Sequence, residues 1–193
     1  MKNISSFLPK QSYKKINNWL LSFDCKVIIT NPRQTKLGDY RSPCMGKNHK
    51  ISINNNLNKY AFLITLTHEI AHMMIWEKYK NNVKPHGNEW KEMFKKLMIG
   101  FIPDFPPDIQ LCLANYLKNP KASTSSDYNL VKILRKYDKN PTLSISEIPD
   151  GTIFKASNGK KYLKEKRLKK RYQCKSLSNN KRYLFNPLAE VKI

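Results

Sequence analysis

The chain has 193 residues, room for one medium domain, or one domain with a small appendage, around a real core. Its 36 Lys and Arg against 14 Asp and Glu leave a formal charge of +22. No fold needs such an excess, which repels itself and points to a polyanionic partner, nucleic acid first; a solvated lysine-rich surface is the alternative. The opening "MKNISSFLPKQS" lacks the apolar core of a signal peptide, and no apolar run nears the ~18 residues of a spanning helix. Cys25, Cys44, Cys112 and Cys174 are scattered without a C-x-x-C pair, which argues against a disulfide framework and against a zinc ribbon. The expectation is a reduced, cytoplasmic protein, nucleoid-associated if bacterial, monomeric and off the membrane.

In chain order, Tyr13, Ile16, Trp19, Leu20 and Phe23 recur at spacings of three and four and predict an amphipathic helix. "CKVIIT" and "HKISINNN" read as strands, with "TKLGDYR" a possible third around a turn or bulge at Gly38. The apolar stretch from about Tyr60 to Tyr79 predicts a long helix. "NNVKPHGN" breaks it, and "EWKEMFKKLMIG" resumes helical periodicity through Trp90, Met93, Phe94 and Leu97, ending near Gly100. "IPDFPPD" is a turn opening a helix over about Ile109 to Leu117, and "DYNLVKILRKYD" is another helix. The pattern changes between residues 139 and 148, after which "GTIFKA", "KKYLKEKRL", "KRYQCKS" and "KRYLFNP" predict four short strands joined at "SNG" and "SNN". The expected class is α+β: a helical core with a small β-sheet over residues 1–140, and a small, basic antiparallel β domain over 149–193.

The chemistry sits in "LTHEIAHMMIW". His68 and His72, four apart, lie on one face of a helix and can aim two imidazoles at one point, as tetrahedral zinc requires. Glu69 is turned about 100 degrees away on the helical wheel, which suits a base acting on a metal-bound water rather than a ligand. The helix is so apolar that it must be largely buried, and unpaired polar groups there would cost roughly 1–3 kcal/mol each, a cost that zinc and water remove. A pair of histidines facing the surface is the competing reading. For a third ligand, Ile75 and Lys78 stand where a metzincin carries Gly and His. Glu89 and Glu92 on the next helix are available, but His86, beside Gly87 at the entry to that helix, is favoured. His49, in the polar "GKNHKIS", is expected at the surface. Tyr40 and Arg41 are weak candidates for stabilising an oxyanion.

"THEIAHMMIW", followed by "PHGNEWKEMF" and "LMIG" and preceded by "RQTKLGDYR" and "HKISINNNLN", resembles the SprT-like metalloproteases, which include the Spartan proteases that digest proteins crosslinked to DNA. The likeness covers about residues 5–100. It implies a single zinc held by His68, His72 and His86, with Glu69 activating water, and protein substrates at DNA. Many members of that family end in a four-cysteine zinc ribbon; here only Cys174 stands in the matching "RYQCKS", so a second zinc is not expected.

Residues 160–182 hold eleven Lys or Arg and one acid, Glu165. The expected nucleic-acid contacts are Lys160, Lys161, Lys164, Arg167, Lys169, Lys170 and Arg171. Tyr162 and Tyr172 are either stacking platforms or core, while Phe154 and Phe185 are expected in the core. The leading expectation is therefore a zinc-dependent endopeptidase working on DNA-associated proteins. Its rivals are a nucleic-acid-binding protein with a structural or inactive metal site, and a processing peptidase with no DNA role.

Overall fold

The computed structural model describes residues 4–33, 35–123 and 126–193. The first three residues of the opening stretch and Gln34 of "RQTKLGDYR" lie outside the described residues. The chain forms two compact units, residues 1–138 and 139–193, each with its own apolar core.

The first unit runs α1 (Lys10–Ser22), β1 (Cys25–Thr30), β2 (Gly38–Arg41), β3 (His49–Asn54), α2 (Lys59–Tyr79), α3 (Asn88–Ile99), α4 (Pro107–Leu117) and α5 (Tyr128–Arg135). Its three-stranded sheet has the order β1-β3-β2, with β1 parallel and β2 antiparallel to the central β3. β2 is thus an edge strand with one backbone flank unpaired in the sheet. α2 is apolar on every side and is buried between the sheet and α3, as an all-round apolar helix must be. Asn58 starts it: its side chain accepts from the N–H groups of Tyr60 (3.1 Å) and Ala61 (3.0 Å) and donates to the Leu134 carbonyl (2.9 Å) at the end of α5. The metal-motif helix is therefore pinned at its start by a cap that also grips a neighbouring helix. No helix among the described residues is long and apolar enough to cross a membrane.

The second unit carries β4 (Leu143–Ser144), β5 (Ile153–Ala156), β6 (Lys161–Arg167), β7 (Tyr172–Ser176), β8 (Arg182–Phe185) and β9 (Glu190–Lys192) in one antiparallel sheet of order β4-β9-β5-β6-β7-β8. It holds two more strands than the four expected, and it takes in residues 139–148, the stretch in which the sequence pattern changes. The reason is packing: Ile145 and Ile148 lie in its core, and Leu143 pairs with Val191. β4 and β9 have two and three residues, too few to show a period.

Candidate metal centre

His68 and His72 project from successive turns of α2, and His86 comes from the turn before α3. Their Nε2 atoms form a triangle with sides of 3.0 Å (His68 to His86), 3.2 Å (His68 to His72) and 2.9 Å (His72 to His86). Three neutral imidazole nitrogens cannot all satisfy one another, because each offers either one N–H or one lone pair. A shared cation resolves the arrangement, and the spacing is close to the roughly 3.3 Å edge implied by tetrahedral Zn–N bonds of ~2.0–2.1 Å. Burial first, then His72 and His86, pushes His68 down to about 3. Burial and then His86 push His72 down to about 4, and burial lowers His86 as well. Burial thus favours, at each of the three, the neutral form that binds metal. The residues present fit a zinc ion.

His86 adopts a left-handed backbone conformation, φ +57°, which a histidine tolerates better than most side chains. The tight turn therefore falls on the ligand itself and not on Gly87, which instead caps α3. Glu89 and Glu92 are exposed on α3 and stand outside the histidine cluster.

Behind the ligands lies Trp90 of α3, a residue whose role the spacing of "EWKEMF" does not reveal. Its ring centroid is 4.5 Å from His68, 5.4 Å from His72 and 4.7 Å from His86, and it stacks on Phe94 at 5.1 Å. It forms an apolar wall that restricts how the three imidazoles can turn.

Glu69 is 7% exposed and faces β2. Burial, then the neighbouring Asp39 carboxylate, pushes it up to about 8, against the opposing pull of the Tyr40 backbone N–H, Arg33 and Lys36. Gly38 has a specific reason to be glycine, and it is neither a turn nor a bulge. A Cβ there would lie 2.5 Å from Glu69 Oε1 and 2.9 Å from both Glu69 Cγ and Thr65 Cγ2. A cleft of about 360 Å³ opens over the three histidines, Glu69 and residues 35–40, with Ala122 and Ser123 on its rim. A second cavity of about 660 Å³ shares Tyr40 and His72 with it.

His49 is a correction. It is 5% exposed, with Nδ1 2.9 Å from the Tyr40 hydroxyl and Nε2 2.7 Å from Glu77 Oε1, and its ring meets Trp76 edge-on at 5.5 Å. The strand expected over "HKISINNN" does begin at His49, but its polar flank conceals that Glu77 and Trp76 of α2 cover this first side chain. Neither oxyanion candidate keeps a free donor in the metal cleft: the Tyr40 hydroxyl is engaged by His49, and Arg41 pairs with Asp39 and lines the second cavity.

In the second unit, Lys160, Lys161, Arg167, Lys169, Lys170 and Arg171 are exposed. Three other expected contacts are not available at the surface. Tyr162 and Tyr172 are core residues, Tyr162 stacking on Phe154 at 5.8 Å. Lys164 is 4% exposed; its ammonium donates to the Ile148 carbonyl (2.6 Å), pairs with Asp150 (3.0 Å) and sits over the Tyr172 ring (4.2 Å). Alternation explains all three: Tyr162 and Lys164 share the inward face of β6, as Tyr172 and Cys174 do on β7.

A long buried helix that delivers two imidazoles and the intervening carboxylate to a cleft, completed by a third imidazole from the following turn, defines an α+β core of the zincin type. The profile of the SprT-like family matches residues 10–110, slightly more than half of the 193 residues, and the chain belongs to that family. SprT-like proteins are generally zinc-dependent and metallopeptidase-like. Comparison with curated proteins and with solved structures found no significant match.

Proposed function

We propose that this chain is a zinc-dependent endopeptidase acting on proteins at DNA, including proteins crosslinked to it. The observation that carries the reading is the triangle of His68, His72 and His86 nitrogens at 2.9–3.2 Å beside the buried Glu69, in one open cleft. Zinc held there supplies Lewis acidity toward a water molecule and the scissile carbonyl. With that positive charge beside it, Glu69 would be held ionised and would accept the proton that the attacking water loses, returning it to the departing amine nitrogen as the C–N bond breaks. Gly38, without a side chain, lets that carboxylate lie directly against the edge strand. The DNA part of the proposal rests on charge: the exposed Lys160, Lys161, Arg167, Lys169, Lys170 and Arg171 belong to a chain of formal charge +22.

The test measures zinc content together with hydrolysis of an unstructured peptide, with and without DNA, for the native chain and Glu69→Gln. About one zinc per chain is expected in both, with hydrolysis reduced at least 100-fold in the variant, the lower end of a general base's contribution. A zinc-loaded Glu69→Gln as active as the native chain removes Glu69 from the reaction. Activity and retention that do not respond to DNA leave a peptidase without a DNA role.

A further inference from the structure

A closed circuit of contacts fastens the edge strand to the metal helix. Gly38 of the edge strand packs directly on the Glu69 carboxylate, the Tyr40 hydroxyl meets His49 Nδ1 at 2.9 Å, and His49 Nε2 meets Glu77 at 2.7 Å. Glu69 and Glu77 both belong to α2, eight residues apart, so the path leaves the helix at one end of the cleft and rejoins it two turns later.

β2 needs such a fastening. It has four residues and one strand partner. Gly38 offers no side chain, while Asp39 and Arg41 bond to each other (3.1 Å), and Asp39 also bonds to Lys36 (2.8 Å). Tyr40 is left as the side chain that ties the strand to α2, its ring stacked on His49 with centroids 5.9 Å apart. Glu77 also sets the direction of the hydrogen bonds. A carboxylate accepts from Nε2–H, so in the neutral ring Nδ1 is the acceptor and the Tyr40 hydroxyl donates to it. A histidine between sheet and helix, bonded through both nitrogens, permits little rotation of the Tyr40 ring. The position of β2, whose Gly38 lies against the Glu69 carboxylate, and with it the aim of Glu69, follows from that ring.

We propose that His49, held by Glu77, is a positioning residue for Glu69: through Tyr40 it fixes the edge strand so that the Glu69 carboxylate stays aimed into the metal cleft. The proposal rests on Glu69 being the base of the site described above. It predicts that atoms distant from the histidine triangle set the rate of the reaction and leave metal binding and substrate affinity alone.

The test uses the full zinc-loaded chain and four variants. Tyr40→Phe removes one oxygen and keeps the stacking ring; His49→Phe keeps a ring and removes both nitrogens. His49→Asn places an amide near the position of Nδ1 and so can still meet Tyr40. His49→Gln reaches only toward Glu77. For Tyr40→Phe and His49→Phe, kcat should fall about 10- to 100-fold, as for a slightly misplaced reacting group, with KM and zinc content within twofold of the native chain. The double variant should be no worse than either single one, because both cut the same path. His49→Asn should recover part of kcat and His49→Gln should not. Hydrogen exchange supplies a readout independent of turnover: the amides of residues 38–41 should exchange faster in both Phe variants while those of residues 25–30 stay unchanged.

Native kcat and native exchange in both Phe variants overturn the proposal. So does a fall in kcat accompanied by loss of zinc, or one with unchanged exchange in β2, since either makes the contacts merely structural. If His49→Phe does not fold, Tyr40→Phe decides. If the native chain hydrolyses nothing, the peptidase reading fails while the exchange comparison still tests the coupling.

Discussion

His86 is the residue on which the metal assignment is most exposed to test, since the other two ligands share one helix and it does not. Removing its imidazole opens one corner of the triangle and leaves two ligands. His86→Ala should weaken zinc binding more than about 100-fold, beyond the 10- to 100-fold typical of removing an outer supporting group. Glu92→Gln, exposed on α3, should leave binding intact, and competition with a chelator measures both. Gly38 makes a different demand. A methyl group there would lie 2.5 Å from Glu69 Oε1, so Gly38→Ala must displace the carboxylate or the strand. The expected result is a loss of about 1–3 kcal/mol of stability from overpacking in denaturant melts, and at least tenfold lower activity with zinc retained.

At the level of elements, strand phase decides which lysines can meet a phosphate. β6 turns Tyr162 and Lys164 inward and Lys161 outward, and the segment between β6 and β7 leaves Lys169, Lys170 and Arg171 exposed. Lys164 therefore belongs to the architecture of the small unit. Lys164→Met should cost about 1–3 kcal/mol, because the Ile148 carbonyl loses its 2.6 Å partner. DNA affinity measured well below the melting temperature should stay at the native value; a drop equal to that from an exposed lysine would contradict the inward placement.

Across the whole molecule, the separate cores allow the proposed tasks to be tested apart. The three proposed ligands and Glu69 lie in residues 1–138, while eleven of the 36 basic side chains lie between residues 160 and 182. Reversing Lys169, Lys170 and Arg171 to Glu should weaken DNA binding. It should also flatten the salt dependence by ~0.7–0.9 in the log–log slope for each phosphate that is no longer neutralised. Cleavage of a small unstructured peptide should be unchanged. Native affinity and slope in that variant would move the DNA-binding role to another basic surface.

Features confined to one stretch of chain were legible in the sequence. The i, i+4 spacing of His68 and His72, the intervening Glu69, the periods of α1 to α5 and the shift to short strands near residue 140 are local properties, written by helix and strand geometry before any packing. His86 was within reach because a histidine beside glycine at a helix entry is locally unusual, although the positive φ sits on the histidine and not on the glycine. Tertiary structure alone decided what touches what across elements. It buried His49 behind a polar flank and made Gly38 a seat for Glu69. It set Trp90 against three imidazoles and turned Tyr162, Tyr172 and Lys164 inward. In each case a residue's role depends on the partner that folding brings to it from a distant part of the chain, and neither its type nor its spacing names that partner.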